Sequence, residues 1–153
     1  MSVLDLKIPP VVLVLSAFTA MWALSAATPG FTWQVPYKGT IAFAVAVAGG
    51  IVAVLGVRSF QHARTTVNPT RPQDTSSLVT TGIYHVSRNP MYLGFLLLLL
   101  AFAVFLANIL AVLPVVAFVA YMNRFQITPE ERALVARFGP EYDAYKQRVR
   151  RWV

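Results

Sequence analysis

Uncharged apolar stretches alternate with short polar segments along this chain, and the length of each stretch decides what it can form. No Asp, Glu, Lys or Arg interrupts Ile8 to Tyr37, Gly39 to Val57 or Met91 to Asn123, against the roughly 20 residues one membrane-spanning helix needs. The first two predict single helices over about 8–27 and 39–59. The third is 33 residues long; as one helix at about 1.5 Å per residue it would reach roughly 50 Å, beyond a hydrocarbon core of about 30 Å. It is therefore expected to fold back at Asn108, the one strongly polar side chain within it, giving helices over about 91–107 and 109–124. The predicted fold class is all-α: a polytopic membrane protein with four transmembrane helices, including a tight hairpin of the third and fourth. A loop over 60–90 and a C-terminal helical segment over 125–153 complete a single domain.

Composition agrees with this pattern. Hydrophobic residues make up 57% of the 153 positions and charged residues 12%, far from the roughly 25% charged of soluble proteins. The net charge of +7 is sorted by side: with both termini cytoplasmic, twelve of thirteen basic residues share one face and only Lys38 falls on the other. A basic excess arranged this way belongs to membrane topology, and a nucleic-acid partner is not expected. The expected location is an inner (plasma) membrane of bacterial type, with both termini and any site on the polar loops cytoplasmic. Lys7, the apolar run after it and Leu24-Ser25-Ala26-Ala27 also resemble a secretory signal; the expectation is an uncleaved first span. The absence of cysteine removes disulfides and thiolate chemistry, and two histidines are too few for a metal cluster.

Pro9 and Pro10 suit the first turn of the first helix, and Pro29-Gly30 its end. Gly39, Gly49, Gly50 and Gly56 predict close approach of the second helix to a neighbour. Thr128-Pro129-Glu130-Glu131 reads as an N-cap, a first-turn proline and acids at a helix start. A further helix is expected after Gly139-Pro140.

Polar side chains at the edge of such a bundle are the candidates for chemistry. Pro90 biases Asn89 away from helix and starts the third helix, so Arg88 stands beside a helix N-terminus where a carboxylate or phosphate can dock. The bland alternative is that Arg88 snorkels to headgroups. Tyr92 and Gly94 fall on the first turn, where a hydroxyl or ring can be held and space left for a ligand; Tyr84 and His85 precede in the same loop. Glu130 and Glu131 diverge by about 100° on a helix, so at most one is expected to face a given pocket. Phe138, Tyr142 and Tyr145 follow a spacing that can build an aromatic wall.

Five elements occur in order: Pro69-Thr70-Arg71-Pro72, Leu78 to Tyr84, Arg88-Asn89-Pro90-Met91-Tyr92-Leu93-Gly94, Glu130-Glu131 and Phe138-Gly139-Pro140-Glu141-Tyr142. Together they resemble the superfamily of isoprenylcysteine carboxyl methyltransferases and phospholipid methyltransferases, over about residues 60–152. The resemblance implies S-adenosylmethionine as cofactor, bound by the loop before the third helix, its first turn and the C-terminal segment. It carries cofactor-binding roles to Arg88, Pro90, Tyr92 and Glu130 or Glu131; with Tyr84, His85, Asn89, Gly94 and Tyr142 beside them these are the expected cofactor-binding residues, and Arg88 and Glu131 the expected catalytic pair. The partner it implies is a lipophilic small molecule or membrane lipid that accepts the methyl group. Many carboxyl methyltransferases carry histidine where this chain has Asn89, and an amide has no acid–base chemistry. The alternatives are a membrane sterol or steroid reductase using NADPH, and a non-enzymatic membrane assembly subunit.

Overall fold

A computed structural model describes residues 4–63 and 77–153, so Pro69-Thr70-Arg71-Pro72 lies outside the described residues. The chain is helical: α1 (Pro10–Ala27), α2 (Lys38–His62), α3 (Pro90–Leu106), α4 (Val112–Tyr121), α5 (Thr128–Phe138) and α6 (Pro140–Arg148). Three helical stretches are long and apolar enough to cross a membrane: α1, α2 and a continuous run from Ile109 to Phe138. α3 is apolar but shorter, at 17 residues. The large side chains Leu15, Trp22, Phe43 and Val116 are 60–70% exposed, an outward apolar surface that suits lipid and not water.

α2 and α3 form the tightest pair because glycine lies on both sides of the contact. A Cβ on Gly94 would stand 2.7 Å from the Gly49 carbonyl oxygen and 2.7 Å from the Ala53 Cβ, and one on Gly56 would stand 2.8 Å from Met91 Cγ. Gly39 and Gly50 face open space, so the expectation of close approach is met at two of the four glycines of α2. The space that Gly94 leaves is filled by α2, which makes it a packing residue and not the ligand-facing position expected of it.

α3 ends at Ala107, in the left-handed region at φ +50°. Asn108 is then 1% exposed, its side-chain oxygen accepting from the Leu110 N–H and its amide donating to the Thr28 carbonyl and the Thr28 and Thr32 hydroxyls. The Trp33 N–H donates to the Ala107 carbonyl, so the connection after α1 closes this end of the bundle.

The helix start expected at Thr128 is not there. Ile127 has helical dihedrals, and α4 passes into α5 through a π-helical segment, Met122–Ile127. Pro129 cannot donate to the Phe125 carbonyl four residues back, and its ring crowds that oxygen. The wider turn accommodates the ring, and the Phe125 carbonyl, which Pro129 cannot serve, accepts from the Leu6 N–H at 3.0 Å. Asp5, paired with Arg132 at 3.0 Å, fastens the same N-terminal segment. Glu130 and Glu131 are therefore mid-helix residues, not first-turn acids. At about 1.5 Å per residue the Ile109–Phe138 run is roughly 45 Å long, more than a hydrocarbon core of about 30 Å, and its charged residues Glu130, Glu131, Arg132 and Arg137 gather in α5.

Two clusters make the interior. One gathers Met21, Leu99, Val115, Phe118, Met122 and Ile127 between α1, α3 and α4; the other gathers Val79, Tyr84, Tyr142, Tyr145 and Val149 beneath α6. Gly139, at φ +50° and ψ −125°, makes the break that lets α6 turn back onto the loop before α3. The chain then ends as an extended tail across that loop.

Candidate functional site: a split polar cluster at the base of α3

The turn before α3 is held from both sides. The Asn89 N–H donates to the Ser87 hydroxyl, and Ser87 is fully buried. The Arg88 N–H donates to the Arg150 carbonyl at 3.1 Å and the Asn89 side-chain amide to the Arg151 carbonyl at 2.9 Å. Asn89 thus ties the turn to the C-terminal tail, a structural task for which an amide is suited. The Trp152 indole donates to the Asn123 side-chain oxygen at 3.1 Å and pins the tail to the α4–α5 helix.

Within this frame Arg88 Nη2 meets Glu131 Oε1 at 3.0 Å, with side chains only 11% and 15% exposed. Arg151 forks onto the same carboxylate, Nε to Oε1 at 3.1 Å and Nη2 to Oε2 at 2.6 Å. Glu131 therefore joins two guanidinium groups. Arg88 Nε and Nη1 are buried with no hydrogen-bond partner among the described residues. Buried guanidinium donors left open are costly, and their fork geometry matches a carboxylate or phosphate.

The neighbouring carboxylate has a different setting. Tyr92 donates its hydroxyl to Glu130 Oε1 at 2.5 Å, and the Gln126 amide donates to the same oxygen. The two glutamates diverge as helix geometry requires, yet the cluster wraps around α5 and engages both.

Tyr84, Tyr142 and Tyr145 form the wall beside the charges. Tyr145 donates to the Tyr84 carbonyl at 2.7 Å, and the Tyr142 and Tyr145 rings lie 6.0 Å apart. Burial raises the Tyr142 phenol well above its ordinary range; Glu131 raises it further and Arg88 opposes. The wall expected from Phe138, Tyr142 and Tyr145 is present, with Phe138 packed at its margin.

Of the residues read from the sequence, Tyr84, Arg88, Asn89, Pro90, Tyr92, Glu130, Glu131 and Tyr142 come together. His85 is exposed, with no polar contact to the cluster, and Gly94 faces α2. Sequence reasoning missed Asn123, Gln126 and Arg151. Asn123, Gln126 and Glu130 recur at i, i+3 and i+7, a helical face that was legible; nothing local distinguishes Arg151 from Arg150.

An all-helical membrane protein with an open guanidinium fork against a half-buried carboxylate pair is the class that fold and site define. A family model described as phospholipid methyltransferase matches residues 37–141, and the chain belongs to that family. It is 33% identical over 120 residues to a probable protein-S-isoprenylcysteine O-methyltransferase of Oryza sativa subsp. indica, covering 76% of this chain and 60% of the rice protein. Similarity to the protein-S-isoprenylcysteine O-methyltransferase B of Arabidopsis thaliana is 36% over 95 residues, covering 60% of this chain and 45% of that protein. A Haemophilus influenzae protein aligns over its whole length, 52% identical over 63 residues and 41% of this chain. The chain thus spans about 60% or less of the plant relatives' length. No solved structure matches it significantly.

Proposed function

We propose that this protein transfers a methyl group from S-adenosylmethionine to a small lipophilic acceptor at the cytoplasmic face of the membrane. The observation that carries the reading is the pair of buried, unpartnered donors Arg88 Nε and Nη1, in a family described by methyl transfer. The donor molecule brings a carboxylate, an ammonium, an adenine ring and a methyl group on a positive sulfur. Arg88 suits the carboxylate by a bidentate charged hydrogen bond. Glu130 and the wall of Tyr84 and Tyr142 supply negative charge and aromatic faces for the cationic part.

Methyl transfer is an in-line displacement whose chief demands are alignment and exclusion of water. Arg88 and the tail that covers it serve the first demand, and the buried tyrosines the second. A carboxylate acceptor needs no general base, and the cluster is read as binding and orienting groups only. Four membrane crossings, with α3 among them and both termini cytoplasmic, place Arg88 where a water-soluble donor and a membrane-dissolved acceptor can meet. The relatives named for protein-S-isoprenylcysteine support a lipophilic acceptor.

The test is calorimetric titration of the detergent-solubilised protein with S-adenosylhomocysteine, followed by transfer of labelled methyl to a panel of lipophilic thiols, amines and acids. Saturable binding and a labelled lipophilic product are expected. A folded protein that binds neither the methylated nor the demethylated cofactor, or that binds NADPH in their place, overturns the reading.

A further inference from the structure

Glu131 carries more guanidinium than one carboxylate can neutralise. Arg88 contacts it through one nitrogen at 3.0 Å, while Arg151 takes it by a two-point fork at 3.1 and 2.6 Å. The third nitrogen of Arg151 reaches Asn123 Oδ1 at 3.4 Å. All three nitrogens of Arg151 are thus engaged, whereas Arg88 keeps Nε and Nη1 open among the described residues. Two positive groups and one negative group sum to one positive charge, and the open donors locate that excess on Arg88. Without Arg151, the Arg88–Glu131 pair is neutral and the attraction for an incoming anion largely vanishes.

We propose that Arg151, on the C-terminal tail, is a positioning residue for the anion site: by holding Glu131 in its fork it keeps the Arg88 guanidinium charged in effect and its ligand edge clear. The inference rests on the reading of the site as one for S-adenosylmethionine and refines it. Glu131 becomes a relay between two arginines and not a receptor for the ligand's ammonium, which leaves Glu130 for that role. The tail is held for this task at four further points: the backbone carbonyls of Arg150 and Arg151 accept from Arg88 and Asn89, and the Trp152 indole and Arg151 Nη1 both donate to Asn123.

The experiment titrates the full chain in detergent with two ligands, S-adenosylhomocysteine and its decarboxylated thioether analogue, which lacks only the carboxylate. Arg151→Ala is expected to weaken S-adenosylhomocysteine roughly tenfold, the scale of one removed charge at the edge of a protein, and to leave the analogue unchanged. Arg151→Lys retains the charge and most of the affinity. Glu131→Gln combined with Arg151→Ala removes one charge of each sign and recovers much of the loss, a rescue that a purely structural role for Arg151 does not produce. If Arg151→Ala does not fold, Arg151→Gln, which keeps hydrogen bonding and loses charge, takes its place. Equal weakening of both ligands, no weakening of either, or absence of rescue in the double variant overturns the proposal. Failure of the unaltered protein to bind either ligand removes the cofactor reading itself, and binding that ignores Arg151 removes this inference alone.

Discussion

Both ends of the helical bundle bury polar side chains, and they differ in whether the hydrogen bonding is complete. At the Asn108 end, the side-chain oxygen has a backbone donor and the amide has three oxygen acceptors, all from the segment after α1. At the Arg88 end, the guanidinium meets Glu131 through one nitrogen while two others lie buried without a protein partner among the described residues. A closed polar network secures a turn; an open one of higher charge reserves donors for something outside the chain. The contrast separates architecture from function without appeal to the relatives.

Arg88→Gln should break the open end most severely. Losing a charged, two-point hydrogen bond to a ligand carboxylate costs about 3 kcal/mol, or roughly a hundredfold in affinity. Titration with S-adenosylhomocysteine reads the loss, and a normal unfolding curve shows that the fold survives. Unchanged binding would mean that the open donors are a structural accident.

Asn108→Ala probes the closed end. It strands the Leu110 N–H and the acceptors on Thr28 and Thr32, and should lower stability by about 2 kcal/mol. Affinity of the folded protein for S-adenosylhomocysteine should stay as it was. A parallel loss of affinity would show that the two ends are coupled through α3 and would erase the distinction drawn between them.

The closed and open ends were not equally legible in the sequence. Apolar runs of membrane length announce the helices, and Asn108 stands out as the one strongly polar side chain near the middle of its run. Arg88 and the two glutamates were visible for the same reason, as rare charges at the border of apolar sequence. What local pattern concealed was tertiary. Thr128-Pro129-Glu130-Glu131 carries every mark of a helix start, yet the helix runs through it on a π-helical turn, with the N–H of Leu6, more than a hundred residues away, donating to the Phe125 carbonyl. Gly94 reads locally as room for a ligand, and α2 occupies that room. Arg151 resembles its neighbour Arg150 in every local respect, and only the fold of the tail sets its fork on Glu131.

The smallest expected effect sharpens the boundary of the open end. His85 lies three residues before Arg88 in a polar loop, which makes it an attractive acid–base candidate, but it is exposed and no polar contact joins it to the cluster. His85→Ala should change stability and cofactor affinity by no more than about 0.5 kcal/mol, the usual range for a surface substitution without a structural partner. Methyl transfer should likewise keep its rate in the variant. A rate that collapsed in His85→Ala while cofactor affinity held would extend the reacting centre outward along the loop.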